Sequence, residues 1–128
     1  MSIQTQVLSA LRERINALGA FAPVTPGALP AENGLSMAVS TGRAVSVTLA
    51  HGGVTTLDVA INCKHTDQAT ALDTLCLIFE ALAKAQSLPC GDDWQTTAVR
   101  IGAAPGYLDR DGPFWLYGGA LSVEYVTD

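Results

Sequence analysis

The sequence predicts an α+β fold: a mostly antiparallel sheet, built from a meander and a C-terminal hairpin, with two helices in the order α-β-β-β-α-β-β. The whole of residues 1–128 reads as a single domain. Three observations predict this. Residues 66–86 place Leu72, Leu75, Cys76, Phe79, Leu82 and Ala83 at the i, i+3, i+4 spacing that makes one apolar stripe on a helix. The stretches on either side alternate apolar and polar residues with a period of two, the signature of half-buried strands. A second helical stripe opens the chain. The simplest arrangement lays the long helix across one face of the sheet.

Taken in order, residues 2–18 form the first helix, with Ile3, Val7, Leu8, Leu11, Ile15 and Leu18 on its apolar stripe and Arg12, Glu13 and Asn16 facing out. Ser2 can cap its start, and Gly19 can end it by taking a left-handed backbone. Residues 20–34 carry three prolines and two glycines. Pro23, Pro26 and Pro30 forbid a regular helix and disfavour an inner strand. The expectation is a short extended piece at 21–24 inside an ordered linker, too apolar to be a solvated spacer.

Leu35, Met37 and Val39 alternate as a strand, Gly42 and Arg43 make a turn, and Val45, Val47 and Leu49 mark a second strand over 44–50. His51, Gly52 and Gly53 signal a hairpin turn. Leu57, Val59 and Ile61 continue as a third strand over 54–63, its other face carrying Thr56, Asp58 and Asn62. For the long helix, Thr66 or Asp67 can serve as cap, and Asp73, Thr74, Glu80 and Lys84 fall mainly off the stripe. At about twenty residues it spans roughly 30 Å. Residues 87–94 read as a loop, and Thr97, Val99 and Ile101 as a strand over 95–103. Residues 104–113 read as a connection dense in turn chemistry. The last strand, 114–126, carries Trp115, Tyr117, Leu121, Val123 and Tyr125 on one side. Gly118 and Gly119 in its middle suggest a bulge or a close backbone approach.

Composition narrows the function. Hydrophobic residues make up 48% of the chain and charged residues only 15%, against a usual charged share of about 25%. The shortfall points toward self-association, in which neighbours cover apolar surface. The net charge of −5 disfavours a sequence-independent grip on nucleic acid. No apolar run is long enough to cross a membrane as a helix, and residues 1–14 lack the basic cluster and apolar core of a signal peptide. Cys63, Cys76 and Cys90 are odd in number and widely spaced, which argues for reduced thiols in a cytoplasmic protein. Cys63 and Cys76 fall on core positions; Cys90, in a loop, is the one expected to react.

The chemistry-bearing residues are sparse, and no catalytic, cofactor or metal residue is expected. His51 and His65 lie at element ends, and no nucleophile, Walker or dinucleotide motif accompanies them. A metal site from Cys63, His65 and Asp67 is disfavoured, because the first two alternate on a strand while the third starts a helix. Asp92 with Asp93, and Asp109 with Asp111, sit in Gly/Pro-rich segments. Aspartate there usually bonds its own backbone. Arg110, flanked by acids, is placed to meet a carboxylate on a neighbouring subunit. Four of the eight aromatics, Tyr107, Phe114, Trp115 and Tyr117, cluster within eleven residues, as core anchors or interface hot spots.

Several segments together resemble the phage tail-terminator family, also labelled minor capsid or head–tail joining proteins. They are the first helix running into LGAFAPVTPGALP, the strand GLSMAV, the meander, the Ala/Leu-rich helix and the segment GYLDRDGPFWLYGGALSVEYV. Members often carry G-x-L-x-R-D-x-x-G before a final aromatic strand. Gly106, Leu108, Arg110, Asp111 and Gly112 occupy similar places, with the segment shortened between Asp111 and Gly112. The chain departs from the family at Cys63-Lys64-His65, where a basic residue and a glycine are usual.

The resemblance implies a structural protein without catalysis or cofactor. It would form a six-membered ring that caps the tail tube, ends its polymerisation and meets the head connector. DNA would pass through without specific binding. The location would be the virion tail or neck, reached from the host cytoplasm, with no membrane partner. Closing a ring requires two different complementary surfaces per subunit. The assembly candidates are Val24, Pro26 and Leu29 in the proline-bearing loop and Tyr107, Leu108, Arg110, Asp111, Phe114 and Trp115 in the connection before the last strand. Three alternatives stand beside this reading: another tail or neck component of similar fold, a small cytoplasmic ligand-binding or enzymatic α+β domain, and a monomeric immunity or adaptor protein.

Overall fold

A computed structural model describes residues 2–39, 43–47, 53–85 and 87–127, with 43–47 described by their backbone alone. The elements in chain order are α1 (Ile3–Asn16), β1 (Val24–Pro26), β2 (Gly34–Val39), β3 (Arg43–Val47), β4 (Gly53–His65), α2 (Gln68–Ala83), β5 (Trp94–Asp111) and β6 (Phe114–Thr127). The fold is α+β as expected, with the three-residue β1 added to the anticipated order.

The sheet runs β1-β2-β4-β6-β5, with β3 also paired to β4. Every pair is antiparallel except β1 with β2. The partner of β2 falls from Lys64 to Val59 as β2 advances, and that of β3 continues from Thr56 to Gly53. β2 and β3 therefore lie end to end along one edge of β4 instead of folding back on each other. Arg43, expected in a turn, lies in β3. The rest of that turn, the end of the second expected strand and the hairpin at His51 and Gly52 fall outside the described residues. The extended piece expected at 21–24 is displaced to Val24–Pro26. As a short edge strand it tolerates the proline, because an outward-facing nitrogen needs no ladder partner.

The odd-numbered residues of β4 and β6 build the core. Leu57, Val59, Ile61, Cys63, Tyr117, Leu121, Val123 and Tyr125 are all buried and face the helices. Val7, Leu11 and Ile15 of α1 join the same cluster, as expected from the first stripe. Ser2 caps α1 by accepting from the Thr5 N–H at 3.1 Å, and Gly19 takes φ +76° just past its end. The side-chain amide oxygen of Asn16 accepts from the Val24 N–H at 2.8 Å, which fixes β1 to the end of the helix.

α2 buries Leu75, Phe79 and Leu82 of the predicted stripe but packs on the sheet with its face rotated from the predicted one. Its buried residues are Ala71, Thr74, Leu75, Ile78, Phe79 and Leu82; Leu72 and Cys76 are half-buried and Ala83 is exposed. Thr74, expected off the stripe, is tolerated in the core because its hydroxyl donates to the Thr70 carbonyl at 2.7 Å. Asp67 is the cap, accepting from both the N–H and the hydroxyl of Thr70. Those two hydrogen bonds, the side-chain one foremost, hold its carboxyl below the usual 3.8.

β5 is the largest departure from the sequence reading. The segment 104–113 is not a turn-rich connection. It continues β5 to Asp111, and the reversal is confined to Gly112 and Pro113, with Gly112 at φ +58° and Asp111 opposite Phe114. The register shifts at four places along β5. These irregularities absorb the Gly and Pro residues that look like turn signals in sequence. They also break the alternation, so that Trp94, Thr96 and Val99 are buried while Thr97 and Ile101 are exposed. Of the two readings of Gly118 and Gly119, the close approach is the one met: β6 keeps an unbroken register with β4 through both glycines, and the irregularities lie in β5 instead. A Cβ on Gly119 would stand 2.7 Å from the Phe79 ring and 2.8 Å from the Ala103 carbonyl oxygen.

Candidate assembly interface

The residues singled out for assembly divide between the two borders of the sheet. At one border, β5 has a single strand neighbour, β6, and from residue 100 to residue 111 no side chain of it is buried. Ile101, Tyr107 and Leu108 on this border are among the exposed large apolar residues. Near the hairpin tip the aromatics come together. The Tyr107 ring lies 6.2 Å from Trp115 and 5.9 Å from Tyr117, edge to face in both cases. The Arg110 guanidinium stacks 4.2 Å above the Trp115 ring. The Tyr117 hydroxyl accepts from the side-chain amide of Gln68 at 2.7 Å, tying this cluster to the start of α2.

Lys64 joins the two candidate segments, a contact that neither periodicity nor spacing announces. It is 7% exposed, yet its ammonium donates to the carbonyls of Pro30 and Ala31 at 3.4 and 3.2 Å. It also pairs with the Asp111 carboxylate at 3.3 Å and lies 4.7 Å over the Phe114 ring. A lysine so enclosed needs acceptors around its three donors, and the proline-bearing loop and hairpin tip supply them. The alternation of β4 does put Lys64 off the core side. What sequence cannot show is that a loop more than thirty residues earlier closes over it. Asp111 is therefore an intrachain partner at the tip, and Asp109 lies in β5 with its carboxylate accepting from the Arg110 N–H.

Pro26 is exposed at the opposite border, in β1; Val24 of the same strand, expected at the interface, is instead buried in the core, and Leu29 is half-buried in the loop that follows. Beside β1, between α1 and the end of β2, is a cavity of about 180 Å³ lined by Thr5, Leu8, Ser9, Arg12, Pro26, Met37, Ala38 and Val39. It is largely apolar, with Arg12 supplying its charge. Of its lining, only Pro26 was singled out beforehand; the others read as ordinary helix and strand positions.

The thiols and histidines are arranged as follows. Cys63 is buried and its thiol is pushed up to about 12 by desolvation. Cys76 is half-buried, less enclosed than its place on the stripe predicted, and Cys90 is exposed. The Nδ1 of His65 accepts from the Asp67 N–H at 2.9 Å and its ring meets Phe21 edge-on. Among the described residues no cluster of three His, Cys, Asp or Glu side chains could hold a metal ion, and no helix is long and apolar enough to cross a membrane.

No protein-family model and no curated protein matches the chain. The fold nevertheless recurs in a solved structure. The chain superposes on one from the virion of the native gene transfer agent (GTA) particle with a TM-score of 0.65 and 14% identity, over 98% of this chain and 99% of that one. At that identity the likeness is one of fold, from the first helix to the last strand.

Proposed function

We propose that the chain is a structural protein of a phage or prophage virion and, within that class, a tail terminator. In this reading it forms a ring that caps the tail tube, ends its polymerisation and offers its other face to the head connector, while DNA passes without specific contact. The chain carries no catalytic step and needs no cofactor. It would work in the virion tail or neck after assembly in the host cytoplasm. The observation that carries the proposal is the end-to-end fold likeness to a chain of a virion particle. The exposed β5 border, the low charged share of 15% and the edge-to-face aromatics at the hairpin agree with a protein that works through contacts with its own copies.

Sedimentation mass and negative-stain electron microscopy of the purified chain test this. Closed rings, six-membered by the family resemblance, are the expected result. A particle that stays monomeric at high concentration overturns the ring. The same fold likeness also supports another tail or neck component. Adding the chain to polymerising tail-tube protein separates the two, since a terminator shortens the tubes and a tube component lengthens them.

A further inference from the structure

Two surfaces of unlike shape lie at opposite borders of the sheet. One is the cavity between α1 and β2, apolar in its lining and rimmed by Arg12, which has no ion-pair partner among the described residues. The other is the outer half of β5, where Leu108 is 55% exposed and is followed by the exposed carboxylate of Asp109. The strand order β1-β2-β4-β6-β5 places them at the two ends of the sheet. They therefore cannot meet within one subunit, yet they are positioned to meet between successive copies. A contact between unlike patches at opposite borders is heterologous, the kind that propagates head to tail and closes when the rotation allows.

We infer that the α1–β2 cavity receives the Leu108–Asp109 segment of the next copy of this chain, with Leu108 filling the apolar space and Asp109 pairing with Arg12. The charges are complementary in sign and both belong to the rim, where they would steer docking and set its register. The apolar lining would enclose Leu108 and supply the desolvated centre that interface anchors need, with the charge pair outside it at the rim. Leu108 packs over Gly118 of β6, where a Cβ would come within 2.6 Å of its Cδ1, and it is the remaining exposed part of the side chain that an incoming copy would cover. The inference rests on the ring reading above.

The test is a charge swap followed by sedimentation mass over a concentration series, with circular dichroism confirming that each variant is folded. Arg12→Glu and Asp109→Arg each set like charges opposite one another and should raise the concentration needed for half-assembly by about tenfold or more. The double variant Arg12→Glu/Asp109→Arg restores opposite signs and should recover most of that loss. Leu108→Ser should weaken assembly without affecting the folded monomer. Single variants that assemble like the wild type, or a double variant that fails to recover, overturn this interface and leave the ring standing. A wild-type chain that never assembles overturns the ring itself.

Discussion

Gly119 shows how one missing side chain sets the distance between a helix and a sheet. The Phe79 ring of α2 rests on the bare backbone of β6, with the Ala103 carbonyl close on the other side. Gly119→Ala should destabilise the fold by about 1–3 kcal/mol, the usual range for overpacking a filled core. Urea denaturation checks it. Adding Phe79→Leu should make the pair of changes less than additive, because the ring supplies part of the clash and the backbone carbonyl the rest. Cys63 offers a second test at this scale. Its folded value, raised from 9.0 to about 12, means that the neutral thiol is favoured by folding. The stability it contributes is therefore fully present below pH 9 and is lost as pH climbs toward 12. Cys63→Ala should flatten that alkaline decline in a pH series of denaturation midpoints. In the native protein an alkylating reagent should modify exposed Cys90 well before Cys63.

Among the elements, α2 was legible in existence and, to within Thr66 or Asp67, in its start, but not in rotation. Periodicity puts Cys76 and Ala83 on the stripe. The structure instead buries Ala71 and Ile78, because the helix is apolar around much of its circumference. Only contact with β4 and β6 chooses which arc is covered. Ile78→Ala should cost about 2–5 kcal/mol, whereas Ala83→Ser, at an exposed position, should fall within about 0.5 kcal/mol of the wild type. Equilibrium unfolding of the two variants distinguishes the observed face from the one periodicity suggests. β5 teaches the complementary lesson. Gly102, Pro105 and Gly106 look like punctuation, but a paired neighbour along the whole length of β6 lets shifts in register accommodate them without ending the strand.

In the whole molecule, a mostly antiparallel sheet covered by helices on one side leaves two borders and, among the described residues, no helix on its other face. The long border at β5 is the kind of edge that other proteins cover or pair. Assembly should therefore slow amide hydrogen exchange along the outer half of β5 relative to the monomer, while β4, paired on both sides, stays protected in either state. Exchange measured below and above the assembly concentration reads this directly. Unchanged exchange in β5 on assembly would place the contact elsewhere.

By itself the sequence determined the α+β class, the two helices with the cap of the first at Ser2 and that of the second narrowed to Thr66 or Asp67, and the odd-numbered core of β4 and β6. Each of these follows from local propensity or from periods of 3.6 and 2 that a chain cannot hide. The tertiary structure alone decided the rotation of α2, the choice of Asp67 as its cap, the crowding at Gly119, the reach of β5 through its apparent turns, the end-to-end placement of β2 and β3, and the enclosure of Lys64 by a loop more than thirty residues away. It also decided that an apolar cavity and an exposed leucine lie at opposite borders of the sheet. These depend on contacts between residues distant in sequence, and such contacts carry no local signal until pairing and packing bring the chain together.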